Sequence, residues 1–108
     1  MGVDIGGGVG GDYSALCVIS VSTMQPVYTE RNNTVTPAAW AHRAIQVGTR
    51  YNQALMLAES NNHGHAFLLE VTHCGYRHQW RNPQGRPWVT TLQSKLEAFD
   101  TLRESLQV

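Results

Sequence analysis

Apolar positions along this chain alternate between short continuous runs and helically spaced stripes, separated by breaks rich in glycine and asparagine. Gly2 to Gly6 reads as a short strand that carries one acid, Asp4, and runs into a glycine-rich stretch up to Gly11. Ala15 to Val21 is almost continuously apolar (Ala15, Leu16, Cys17, Val18, Ile19, Val21), the pattern of a central strand buried on both faces. Ser22-Thr23-Met24-Gln25-Pro26 reads as a turn that returns the chain as an antiparallel strand over Val27 to Arg31. Thr36-Pro37 supplies an N-cap followed by a first-turn proline. Trp40, Ala44, Val47 and Tyr51 then recur at helical spacing and predict one buried stripe.

Ala54-Leu55-Met56-Leu57-Ala58 predicts a second buried strand, ending at Glu59, with Ser60-Asn61-Asn62 suited to capping a helix. That helix is expected from about His63 to Cys74, with Phe67, Val71 and Cys74 on one face and Gly75 as its C′ stop. Tyr76 to Thr90 is irregular, with a turn at Asn82-Pro83-Gln84-Gly85 and room for two short strands around it. A last helix starts at Thr90 or Thr91, with Leu92, Leu96, Phe99, Leu102 and Leu106 as its apolar stripe. The order is β-β-β-α-β-α-(irregular)-α, a mixed α/β arrangement in which a hairpin feeds a parallel strand.

A length of 108 residues fits one small domain, residues 1–108. Eight Lys plus Arg balance eight Asp plus Glu, so no global basic charge announces nucleic acid, and any such binding is local. No apolar run of about eighteen residues predicts a membrane span, and the glycine-rich start has no basic n-region of a secretory signal. The two cysteines, Cys17 and Cys74, read as reduced core residues of a cytoplasmic protein.

Asp4 and Glu59 each stand at the C-terminal end of an apolar strand. If those strands are neighbours, both carboxylates emerge at one sheet edge, where open α/β sheets bind ligands. Their mutual repulsion is relieved by a hard divalent cation, and Asp12, beyond the glycine run, can add a ligand or close an Asx turn. The glycine run is not a phosphate loop of the G-x-x-x-x-G-K-[ST] type, since no lysine comes after it, nor a dinucleotide fingerprint, since it leads into a strand. Phosphate contact and a plain flexible turn both fit it. Five histidines raise a zinc reading, with His63 and His65, and His73 and His78 beside Cys74, but the spacing meets only half of a structural zinc pattern. Arg77, Arg81 and Arg86, interleaved with Trp80 and Trp88, can grip a nucleic-acid backbone or merely cover a loop.

Val3-Asp4-Ile5-Gly6, Gly11-Asp12-Tyr13-Ser14-Ala15, Glu59-Ser60-Asn61-Asn62-His63-Gly64, Gly85 with Trp88-Val89-Thr90-Thr91, and Ser94-Lys95 occur in this order. Together they resemble the nuclease domain of tailed-phage terminase large subunits. The resemblance implies a ribonuclease H-like mixed sheet with flanking helices and Mg²⁺- or Mn²⁺-dependent cutting of concatemeric double-stranded DNA in a bacterial host cell during packaging. It makes Asp4 and Glu59 catalytic metal ligands of a two-metal site and adds Asp12 to the ligands. Asn61, Asn62 and Gly64 become shaping residues, and Lys95 a phosphate contact or a solvated helix position. The partners implied are the ATPase domain, small subunit and portal. The family's third acid falls on a later Asp-Asp stretch, so the domain is expected to be incomplete at its C-terminus and weak or inactive alone. Asp100 and Glu104 remain downstream, in the last predicted helix.

Three other readings remain open. Gly2-Val3-Asp4-Ile5-Gly6-Gly7 also resembles the phosphate-binding start of actin-like ATPases and sugar kinases, without their later loops. Holliday-junction resolvases share the strand-borne Asp and Glu. A non-enzymatic prophage remnant, acting as an interaction module, is the third reading, with self-association through an exposed sheet edge or apolar helix surface.

Overall fold

The computed structural model describes residues 1–6, 13–60 and 63–87. Its elements are β1 (Gly2–Asp4), β2 (Ser14–Ser20), β3 (Gln25–Asn32), α1 (Pro37–Arg50), β4 (Leu57–Ala58) and α2 (Gly64–His73). The order agrees with the sequence pattern, and the expected last helix lies outside the described residues. The sheet runs β3-β2-β1-β4. β2 is antiparallel to β1 and β3, whereas β1 and β4 are parallel, the mixed sheet that the alternation of strands and helices predicts.

The hairpin turn falls at Val21–Met24, earlier than expected, with Met24 in the left-handed region (φ 54°) and its N–H bonded to Ser20 O at 2.7 Å. Pro26 therefore lies inside β3. There the register slips: Val18 faces Tyr28 but Ile19 faces Pro26, so Val27 is an extra residue of a bulge on an edge strand, where a missing N–H is tolerated.

Thr36 caps α1 as predicted: its Oγ1 accepts from the Ala39 N–H at 3.2 Å, with Pro37 behind it, a cap of about 1 kcal/mol. Trp40, Ala44 and Val47 are buried, while Tyr51, at the C-cap, is half-buried. α2 ends in a Schellman motif, with Gly75 N–H bonded to Thr72 O and Tyr76 N–H to Val71 O, and Gly75 at φ 83°. Its start differs from expectation. The N-cap is His63, with no side-chain cap, and Asn61 and Asn62 lie outside the described residues.

β2 is not buried on both faces. Ser14, Leu16 and Val18 are buried, Ala15 and Cys17 half-buried, and Ile19 exposed. Val3, Leu16, Val18 and Ala58 form one core cluster with Trp40, Ala44 and Val47 of α1 and Phe67, Leu68 and Val71 of α2. Among the described residues, then, the helices cover a single face. On that face Arg43 of α1 grips β3. Its Nε donates to Glu30 Oε1 and Oε2 at 2.9 and 2.8 Å, and its Nη2 to Oε1 at 2.6 Å. Tyr28 OH donates to Glu30 Oε1 at 2.5 Å.

The predicted strand over 54–58 is regular only at Leu57–Ala58. Asn52 and Gln53 both lie in the left-handed region (φ 60° and 57°), so the chain is still turning out of α1, and Leu55 is exposed. Tyr76 OH donates to Ala54 O, and His78 Nδ1 lies 2.7 Å from Gln53 O, which fixes this exit. Just before β4, Met56 N–H bonds His78 O and Trp80 N–H bonds Met56 O, a parallel bridge between Met56 and Gln79. That bridge is what the described residues show where short strands are expected. The turn at 82–85 forms, with Gly85 N–H on Asn82 O at 2.8 Å and Asn82 Oδ1 accepting from Gln84 and Arg86 N–H. Both thiols are free, but Cys74 is exposed and not part of the core, because it is the C-cap residue after the last turn of α2. No helix among the described residues is long and apolar enough to cross a membrane.

Candidate active site

β1 and β4 are parallel neighbours paired as Gly2 with Leu57 and Val3 with Ala58. One register step further brings Asp4, the last residue of β1, level with Glu59, the first beyond β4. Adjacent strands lie about 4.8 Å apart, and side chains alternate between faces. Val3 and Ala58 enter the core under the helices, so Asp4 and Glu59 leave by the other face, at the sheet edge. Asp4 is exposed and Glu59 half-buried.

The row extends in the other direction. Asp4 pairs with Ala15, and Ala15 pairs with Arg31. Arg31, Ala15, Asp4 and Glu59 therefore span four strands at one level, with a cation at one end and two carboxylates at the other. Ala15 fills little space between them. The Arg31 guanidinium lies over the Tyr13 ring, 4.4 Å from its centroid, a cation–π contact that holds it in place while leaving it accessible. The sequence pattern did not single out Arg31, because its level relative to Asp4 is set by the hairpin register and not by any motif.

The glycine stretch joins β1 to β2. At its near end, Gly6 N–H donates to the buried Ser14 Oγ at 2.9 Å, so one hydrogen bond closes the base of the loop. Asp12, within that loop, lies outside the described residues, as does Lys95. On the other side of the pair, Gly64 opens α2 directly over Glu59. A Cβ on Gly64 would stand 2.8 Å from the Glu59 carbonyl carbon and closer to its oxygen. Glycine is therefore required where the chain folds back from the acid into the helix.

Arg77, Arg81 and Arg86 are exposed. They come after α2 on the segment that bridges to Met56, and Arg81 Nη2 donates to Gln79 Oε1 at 3.1 Å. Because that segment is parallel to β4, it leads toward the sheet end where Glu59 emerges.

A mixed 3-2-1-4 sheet, with acids level at the ends of its parallel pair β1 and β4 and helices on one face, is the framework of a ribonuclease H-like domain. The model of the terminase RNaseH-like domain family matches residues 1–99. The chain belongs to that family. No curated protein and no solved structure matches it. In this terminase RNaseH-like domain the paired acids, the Gly6–Ser14 hydrogen bond and Gly64 at the start of α2 converge on one edge of the sheet.

Proposed function

We propose that this chain is a metal-dependent endonuclease module that cuts double-stranded DNA, with Asp4 and Glu59 as its cation ligands. The observation that carries the reading is the level placement of the two acids on adjacent parallel strands. Two hard carboxylates side by side at a solvent-facing edge suit Mg²⁺ or Mn²⁺, so the residues present fit the cations that the family implies. When bound, such cations lower the pKa of a water and stabilise the charge that develops on a phosphodiester.

The remaining roles belong to the chain itself. Asp4 and Glu59 fix where the scissile phosphate docks, and the Gly6–Ser14 hydrogen bond keeps β1 and β2 in register beside it. Asp12 is a candidate third ligand carried by the glycine loop. Arg31, about two strand spacings (~10 Å) from Asp4, contacts a neighbouring phosphate. Arg77, Arg81, Arg86 and Lys95 are further backbone contacts, which position DNA without reading its sequence. Family membership supports DNA as the partner; in a whole terminase the ATPase domain, small subunit and portal would be the further partners.

Supercoiled-plasmid nicking in Mg²⁺ and in Mn²⁺ tests the proposal. Slow, metal-dependent nicking that disappears in both Asp4→Asn and Glu59→Gln is expected. Nicking that survives either substitution would overturn it.

A further inference from the structure

A second group of metal-ligating side chains differs in chemical character from the oxygen-only pair at the sheet edge. His42, on α1, meets Glu70 and Cys74, one helical turn apart at the end of α2, with all three ligand atoms within 4.8 Å of one another. His42 Nε2 is 2.8 Å from Glu70 Oε1, and Cys74 Sγ is 3.6 Å from the same oxygen. Around a tetrahedral zinc ion, with Zn–N and Zn–O near 2.0 Å and Zn–S near 2.3 Å, the N···O and S···O separations are about 3.3 and about 3.5 Å. Opening the His42–Glu70 hydrogen bond by about half an ångström, and drawing the His42 nitrogen and the sulfur, now within 4.8 Å of each other, to about 3.5 Å, admits the ion, with the sulfur already at the right distance from the Glu70 oxygen.

We propose that His42, Glu70 and Cys74 form a zinc-type transition-metal site that clasps α1 to α2, with water as the fourth ligand. Imidazole, carboxylate and thiolate together favour a borderline-soft ion over Mg²⁺, which prefers oxygen alone. The sequence motif around His73, Cys74 and His78 points to the wrong partners. His78 Nδ1 is engaged with Gln53 O, and the histidine beside Cys74 in space comes from α1. The clasp also steadies the helix whose first residue, Gly64, packs on Glu59.

Titration of the reduced chain with Co²⁺ tests this without any activity readout. One equivalent is expected to give tetrahedral cobalt bands and a thiolate-to-cobalt charge-transfer band, which added Zn²⁺ then bleaches. Cys74→Ser abolishes the charge-transfer band, and Cys17→Ser and Asp4→Asn leave it intact. Changes outside the ligand set cost about tenfold to a hundredfold in metal affinity, so losing a ligand in His42→Ala should cost at least about tenfold. His42 and Cys74 are exposed, so both variants keep the fold, which circular dichroism checks. Absence of the band at saturating Co²⁺, or its survival in Cys74→Ser, would overturn the proposal.

Discussion

Gly64 is pressed against the backbone carbonyl of Glu59, so closely that any side chain at position 64 would overlap it. The second acid of the sheet edge and the first residue of α2 are therefore one structural unit. Adding a methyl group forces backbone to move, since the obstacle is a carbonyl and not a flexible side chain.

Gly64→Ala is expected to cost about 1–3 kcal/mol, the range for overpacking, read from the urea midpoint. It should also weaken Mn²⁺ binding, because relief of the overlap displaces Glu59. Unchanged stability and unchanged metal affinity would show that the turn has slack.

Ser14→Ala removes the partner of Gly6 N–H at the base of the glycine loop. A buried donor left unpaired costs about 1–3 kcal/mol, and the loss should appear in thermal melts. Amide exchange at Gly6 should speed up more than at core positions of α1.

Glu30 supplies a pH dependence of known sign. The hydrogen bonds from Arg43 hold its carboxyl below the ordinary value of 4.5; burial, the next effect, opposes them, and the hydrogen bond from Tyr28 adds to the lowering. A depressed folded-state pKa stabilises the fold above the unfolded value, and that stability is lost as pH falls through the folded one. Urea midpoints should thus drop below about pH 4.5, and Glu30→Gln should flatten that drop while lowering stability at pH 7.

Arg31→Ala should weaken binding of duplex DNA in Ca²⁺ uniformly across sequences. The slope of log K against log salt should fall by about 1, as for one lost phosphate contact. A slope equal to that of the wild type would remove Arg31 from the DNA path.

Much of the architecture was legible because local chemistry is explicit. Thr36-Pro37 announces the start of α1, Gly75 announces the end of α2, and the apolar stripe of Trp40, Ala44 and Val47 is the buried face. Asp4 and Glu59 could be singled out as strand-end acids, but their level placement depends on the β1–β4 register, which no local pattern encodes. Arg31 and His42 were missed for the same reason, since both gain their neighbours through pairing or packing between distant segments. The strand expected over Ala54–Ala58 shortened because apolar character does not reveal the left-handed turn at Asn52 and Gln53. Cys74 looked like a core residue by helical spacing, but the cap at Gly75 ends the helix and leaves its thiol outside.

The measurement that bears most directly on the shared-cation site is Mn²⁺ binding followed by electron paramagnetic resonance, for the wild type beside Asp4→Asn and Glu59→Gln. Each single substitution is expected to weaken binding at the sheet edge strongly, because both acids hold the same ion. Binding that is unchanged when either acid is neutralised would mean that Asp4 and Glu59 stand level without sharing a cation, and would contradict the shared site.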